Sequence, residues 1–319
     1  MCPKPRPSRK FALPIRICLS QQTRVAVSNA FSVSAKVKDY AAFMKLRLSA
    51  LVVVSAGICY ALAANTFNPS IFAFLILGGT LLTGASNGFN EIIEHELDAL
   101  MDRTKLRPIP NGRMSIAEAS IVAFLAGFIG IFLLGWFINP MAGILGFVAL
   151  VFYVAVYTPL KRVTPFAVFV GAFPGAMPPM LGCVAATEGF GQITHLAWIM
   201  FAVQFIWQFP HFWSIAWRIN DDYLKAGFKM LPSPGGRDKA SAFQIVVYSM
   251  GLIPISLLPT FFGFTGNIAA IVAVVAGVVF AMQAIKLYQT LSGEDAKKLM
   301  FGSFIYLPVV QLAYLIDKL

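Results

Sequence analysis

Charge is what this chain has least of. Only 12% of its 319 residues are Asp, Glu, Lys or Arg, against roughly a quarter in an average soluble domain. With 58% hydrophobic residues and a mean hydropathy of +0.74, the composition excludes a disordered chain and argues against a soluble globular enzyme. Acidic residues are the scarcer sign, 14 against 25 Lys and Arg, and none precedes Asp39. Cysteine is rare: Cys2, Cys18, Cys59 and Cys183 never stand at metal-ligand spacing, suggest no disulfide framework, and in the case of Cys59 and Cys183 read as small core residues. There are no low-complexity tracts and no strong short-period repeats, only a weak echo in which the acidic end of the second apolar segment is matched by that of the sixth. No run interleaves Arg with aromatics as a single-strand nucleic-acid groove does. The net charge of +11 therefore points to a membrane rather than to nucleic acid.

What the chain has instead is long apolar segments. A bilayer span needs about 20 such residues, and only helices satisfy their backbone over that length in lipid. Nine segments qualify, near Leu48–Ala64, Ile71–Asn90, Ile116–Phe137, Ala142–Thr158, Pro165–Ala186, His195–Trp217, Ala240–Pro259, Ile268–Leu287 and Leu299–Ile316. The expected fold is all-α, a polytopic membrane bundle of about nine transmembrane helices over residues 39–319. With the N-terminus inside, every Lys and Arg except Lys318 falls in inside segments, the asymmetry that sets orientation. Residues 1–38 are basic, Ser-bearing and free of acids. They are expected to be a disordered tail, read either as a cytoplasmic extension or as a mitochondrial targeting peptide.

The few acids cluster. Asn90, Glu94 and Asp98 are spaced i, i+4, i+8, which stacks them on one helix face. Like charges so placed repel, and a divalent cation reverses that. Hard oxygen ligands one turn apart suit Mg²⁺, which binds a few carboxylates, keeps waters and takes phosphate oxygens. Arg103, Lys105 and Arg107 follow directly, and Pro108 and Pro110 fix the loop. A second cluster, Asp221 and Asp222 with Lys225, lies just beyond the sixth segment on the same expected side. Two such clusters are expected to clamp one diphosphate through metal ions, with Asn90, Glu94, Asp98, Asp221 and Asp222 as ligands. Lys161 and Arg162 end the fourth segment on that side. His211 lies in an aromatic run and reads as a haem ligand, a proton carrier or a satisfied interior histidine.

These motifs together resemble the UbiA superfamily of intramembrane prenyltransferases, over roughly residues 38–315. The resemblance is carried by Asn90, Glu94, Asp98, Met101, Arg103, Thr104, Arg107 and Pro108; by Tyr157-Thr158-Pro159-Leu160-Lys161-Arg162; by Gly171–Pro179; by Trp207–Phe212; and by Asp222–Pro232. The last two match the branch that farnesylates haem. The departures are Ala167 where that branch has Asn, Cys183 where it has Trp, Lys45-Leu46-Arg47 where it has a Lys-Pro-Arg-like triplet, and Glu94 where its bacterial members more commonly have Asp. The resemblance implies that farnesyl diphosphate alkylates a vinyl group of haem b, water supplies a hydroxyl and diphosphate leaves. It implies Mg²⁺ as cofactor, with Asn90, Glu94, Asp98 and Asp222 at its centre. Arg103, Lys105, Arg107, Tyr157, Lys161, Arg162, His211 and Lys225 would hold substrate. The implied setting is a bacterial inner membrane or, alternatively, a mitochondrial one, with haem A synthase or terminal oxidase assembly as partners. A quinone or chlorophyll precursor as acceptor, and a multispan transporter, are the competing readings.

Overall fold

The computed structural model describes residues 33–319; the tail expected over residues 1–38 lies mostly outside them. The described residues contain no strand, only one bridge between Thr265 and Lys318. The helices are α1 (Val33–Phe43), α2 (Leu46–Ala63), α3 (Pro69–Ile93), α4 (His95–Leu100), α5 (Ile116–Phe137), α6 (Pro140–Val151), α7 (Ala167–Ala185), α8 (His195–Arg218), α9 (Asn220–Lys225), α10 (Lys239–Ser256), α11 (Asn267–Thr290) and α12 (Gly293–Ile316). A π-helical stretch, Phe152–Tyr157, and a last turn, Thr158–Leu160, prolong α6, and a short helix, Leu258–Phe261, follows α10.

Each of the nine expected spans corresponds to one long helix. Eight of these are long and apolar enough to cross a membrane. The other, α8, has 24 residues but carries Gln204, Gln208 and His211 on its buried surface. Its polarity faces protein rather than lipid. Short polar residues set the helix starts as the sequence dictates. Asn68, Ser115, Asn139, Thr194, Asp238 and Ser292 each accept a backbone N–H of the first turn, and Pro69 and Pro140 occupy the position where a missing N–H costs nothing.

The spans form a ring in which α2 packs on α3, α3 on α5, α5 on α6, α6 on α7, α7 on α8, α8 on α10, α10 on α11 and α11 on α12. The ring closes through α12 on α2, where Gln311 Nε2 donates to Ser55 Oγ at 2.8 Å. Beyond that contact, Lys318 Nζ donates to the carbonyl of Ala64 at 2.6 Å. The most buried spans are α7, which also packs on α2, and α8, which also packs on α12. Small residues let α7 approach closely. A Cβ at Gly182 would lie 2.1 Å from the backbone oxygen of Ala56 on α2. Neither backbone can yield, so Gly182→Ala is expected to cost about 1–3 kcal/mol of overpacking. A lower Tm and a reduced folded yield in detergent are the measurable results; an unchanged Tm removes the close α2–α7 contact as a constraint.

Candidate active site

The polar groups gather at one end of the ring. Helix α3 runs to Ile93, three residues past the expected end at Asn90, and its last turns carry Asn87, Asn90 and Glu91, all buried. At Glu94 the helix breaks (φ −98°, ψ 9°) and α4 resumes with Asp98. The expected stripe is therefore divided between two helices, yet Asn90, Glu94 and Asp98 remain buried, at 4, 5 and 1% exposure. Such burial of carboxylates requires partners. Lys161 Nζ lies 2.8 Å from Glu94 Oε1 and donates to Oε2 at 3.0 Å. Arg107 donates to Asp98 Oδ2 at 2.5 Å. Asn90 Nδ2 reaches Thr158 Oγ1 at 3.5 Å, a long contact. Thr104 Oγ1 donates to the Asp98 carbonyl at 2.8 Å and folds the following loop back over the site.

The π-helical turn delivers the third wall. Tyr157 is buried there, packed so closely on α7 that a Cβ at Gly171 would lie 2.6 Å from its ring. Lys161 Nζ stands 4.8 Å from the Tyr157 ring centroid, within cation–π range. Burial pushes the Lys161 ammonium below its ordinary pKa, against the pull of Glu94.

Asp222 joins the two clusters. Its Oδ1 accepts from the backbone N–H of Asp102 at 2.8 Å and its Oδ2 from that of Arg103 at 3.2 Å. Lys225 Nζ donates to Asp222 Oδ1 at 3.3 Å and also pairs with Asp102. Partial burial alone would raise the Asp222 pKa; the two amides and Lys225 outweigh it and hold the group below the usual range. Stretches some 120 residues apart in sequence thus form one surface.

Not every expected residue comes to it. Asp221 is turned outward, 79% exposed, and accepts both Nη1 contacts of Arg237, which also donates to the carbonyls of Trp217 and Arg218. Asp221 therefore helps close the end of α8 and stands apart from the Asp222 cluster. Arg103 and Arg162 are exposed, and Lys105 pairs with Asp102 at 2.6 Å. His211 lies inside α8, seven residues or about 10 Å of helix rise before Arg218.

Two residues, Asp102 and Lys45, were missed, and Glu91, which the sequence sets near the Asn90–Asp98 stripe, was left without a role. Asp102 accepts from Lys105 and Lys225, which lower its pKa to about 2. Glu91 is fully buried with no hydrogen-bond partner for either oxygen among the described residues. Lys45 takes a left-handed backbone conformation (φ 48°) between α1 and α2. Burial and then the nearby Arg107 and Lys161 charges lower its pKa to about 7, with Glu91 and Asp98 opposing. The signals were in the sequence, since Glu91 follows Asn90 and Lys45 opens the first span. Spacing set Glu91 near the stripe, but nothing in it indicated that Lys45 turns inward.

The site holds carboxylates against cations rather than as a cage. Among the described residues no three His, Cys, Asp or Glu side chains converge on a metal position. Glu94, Asp98 and Asp222 are each drawn to a cation or an amide instead. Mg²⁺ needs no such cage, because it takes one or two carboxylates with waters and phosphate oxygens. The two orphaned oxygens of Glu91 are a donor set that a cation satisfies, so the residues present fit a magnesium-bound diphosphate.

A helical ring with paired acid–base loops at one end is the architecture of intramembrane prenyl transfer, and the chain belongs to the UbiA prenyltransferase family, whose pattern matches residues 50–307. Its sequence is 46% identical over 288 residues to the protoheme IX farnesyltransferase of Flavobacterium psychrophilum, covering 88% of this chain and 94% of that one. It is 45% identical over 285 residues to the protoheme IX farnesyltransferase of Christiangramia forsetii, covering 88% and 93%. Among solved structures the fold resembles a digeranylgeranylglyceryl phosphate synthase (TM-score 0.73, 19% identity, 89% of this chain and 98% of that one). It also resembles a UbiA homologue from Archaeoglobus fulgidus bound to GPP and Mg²⁺ (TM-score 0.64, 12% identity, 87% and 99%).

Proposed function

We propose that this prenyltransferase moves the farnesyl group of farnesyl diphosphate to a vinyl group of haem b, with addition of water, giving haem O and diphosphate. The observation that carries the reading is the Asp222 clasp on the backbone of Asp102 and Arg103, which joins the acids and bases of two loops in one polar floor. The names of the relatives at 42–46% identity support haem as the acceptor.

Asn90, Glu94, Asp98 and Asp222 would hold Mg²⁺, directly or through water, with Glu91 beside them. When bound, the metal supplies positive charge that makes diphosphate a better leaving group. The chain's own cations share that task. Arg107 and Lys161 exchange their carboxylates for diphosphate oxygens, Arg103, Lys105 and Lys225 close from the loop side, and Arg162 lies at the rim. Tyr157 keeps Lys161 in place by presenting its ring face. The apolar walls exclude bulk water while allylic cation character develops, and aromatic faces such as Phe209, Phe212 and Trp213 are available to stabilise it. Pairing with a cation makes each carboxylate a weaker metal ligand until diphosphate arrives, so metal and diphosphate should bind together.

The reading places the site on the cytoplasmic face of a bacterial inner membrane, with haem A synthase or oxidase assembly downstream. Membranes containing the chain, given haem b and farnesyl diphosphate, are expected to yield a haem heavier by farnesol. EDTA should abolish the product and Mg²⁺ restore it. Prenylation of 4-hydroxybenzoate in place of haem would overturn the acceptor; full turnover in EDTA would overturn the metal.

A further inference from the structure

His211 belongs to none of the polar loops, and its surroundings are built. Its Nδ1 lies 2.7 Å from Ser303 Oγ, which is fully buried on α12. Ser303 Oγ has one hydrogen, and it donates that hydrogen to the Met300 carbonyl at 2.6 Å. A carbonyl only accepts, so toward His211 the serine oxygen is the acceptor and Nδ1 carries the proton. Nε2 is then the bare nitrogen, and it has no partner among the described residues.

The ring is also fixed in orientation. Trp207, one turn earlier on α8, stacks on it at 4.5 Å and 15°, and Trp207 Nε1 donates to the Ser303 carbonyl at 3.0 Å. Phe304 meets it edge-on at 4.9 Å and 79°. Thus α8 grips both the backbone and the side chain of one α12 serine, and the grip leaves a lone pair with a set direction. A lone imidazole does not hold a free metal ion, and among the described residues His211 belongs to no group of three or more metal-ligating side chains. It suffices for an iron already held by four porphyrin nitrogens. A proton on the distal nitrogen, held by a protein acceptor, is the usual support of such a ligand.

We infer that His211 Nε2 ligates the iron of the haem substrate and that Ser303 is a positioning residue, setting the tautomer and aim of that nitrogen. The inference rests on haem being the acceptor. With His211 about 10 Å of helix rise from the Arg218 end, an iron there lets a peripheral vinyl group extend toward the diphosphate floor.

The test uses the purified full chain in lipid nanodiscs with ferrous haem b and no farnesyl diphosphate. The wild type should show an iron–histidine stretching band by resonance Raman. His211→Gly should lose the band, and added imidazole should restore it. Ser303→Ala should lower the band frequency and weaken haem binding about tenfold, the effect expected of a lost outer partner, whereas Ser303→Thr should keep both. In turnover, His211→Gly should raise KM for haem and leave KM for farnesyl diphosphate unchanged. An unchanged band in His211→Gly overturns the ligand, and an unchanged band in Ser303→Ala overturns the positioning role. A wild type that ligates haem but never farnesylates it overturns the reaction and leaves the ligand standing; a wild type that binds no haem overturns both.

Discussion

Replacing Asp98 by Asn is expected to lower turnover by at least about a hundredfold to a thousandfold while the bundle stays folded. Losing one aligned electrostatic group at a centre of developing charge has effects of that size. Asp98 is 1% exposed and its Oδ2 accepts from Arg107. The amide keeps the shape but presents an N–H₂ or a neutral oxygen where the guanidinium needs an anion. Arg107 pairs with Asp98, so the variant leaves a mostly buried guanidinium without its anion. The fold should survive because the loop is tied through the Asp98 backbone, whose carbonyl accepts from Thr104. Farnesylated haem measured by mass, with Tm as the folding control, decides the matter. Near-normal turnover in a folded Asp98→Asn protein removes this carboxylate from the chemistry.

Asp222→Ala tests the junction. Two backbone amides lose their acceptor at once, and the loop that carries Arg103, Lys105 and Arg107 loses its hold on α9. Turnover should fall about a hundredfold, as expected of a lost metal-and-diphosphate contact. Hydrogen exchange at Asp102 and Arg103 should accelerate by an order of magnitude or more, since an amide opened to water loses its protection. The Lys225–Asp102 pair remains and keeps the loops loosely associated, so Lys225→Ala added to Asp222→Ala should extend the faster exchange through Lys105. Unchanged exchange at Asp102 and Arg103 would show that the clasp does not form in solution.

The helices were legible because lipid imposes a strict length and composition. Ile116–Phe137 matches the sequence reading residue for residue, and the other spans differ at their ends by a few residues. The end of α3 was misjudged because a helix need not stop where its apolar residues do. The polar turn through Ile93 is inside the protein, where Asn87, Asn90 and Glu91 are buried. Residue spacing placed Asn90, Glu94 and Asp98 on one face, and the break at Glu94 altered the path without dispersing them. Spacing did not separate Asp221 from Asp222. Adjacent helix positions point about 100° apart, so one faces the loop amides and the other Arg237. The ion pairs Lys161–Glu94 and Arg107–Asp98 were out of reach, because charge complementarity between distant segments has no local period. The same holds for Ser303, which looks like any small residue in an apolar span until α8 is beside it.

The π-helical stretch Phe152–Tyr157 has a consequence for the phase of α6. A widened turn winds in one extra residue and offsets everything after it by roughly a quarter rotation relative to a regular α-helix. Ala142, Gly143, Leu145 and Gly146 mark the inward face before it. Without the offset Thr158 and Lys161 would emerge beside that face; with it they continue the same side and meet Asn90 and Glu94. Shortening this segment by a single residue would rotate Lys161 away from Glu94 and leave that carboxylate buried without its cation.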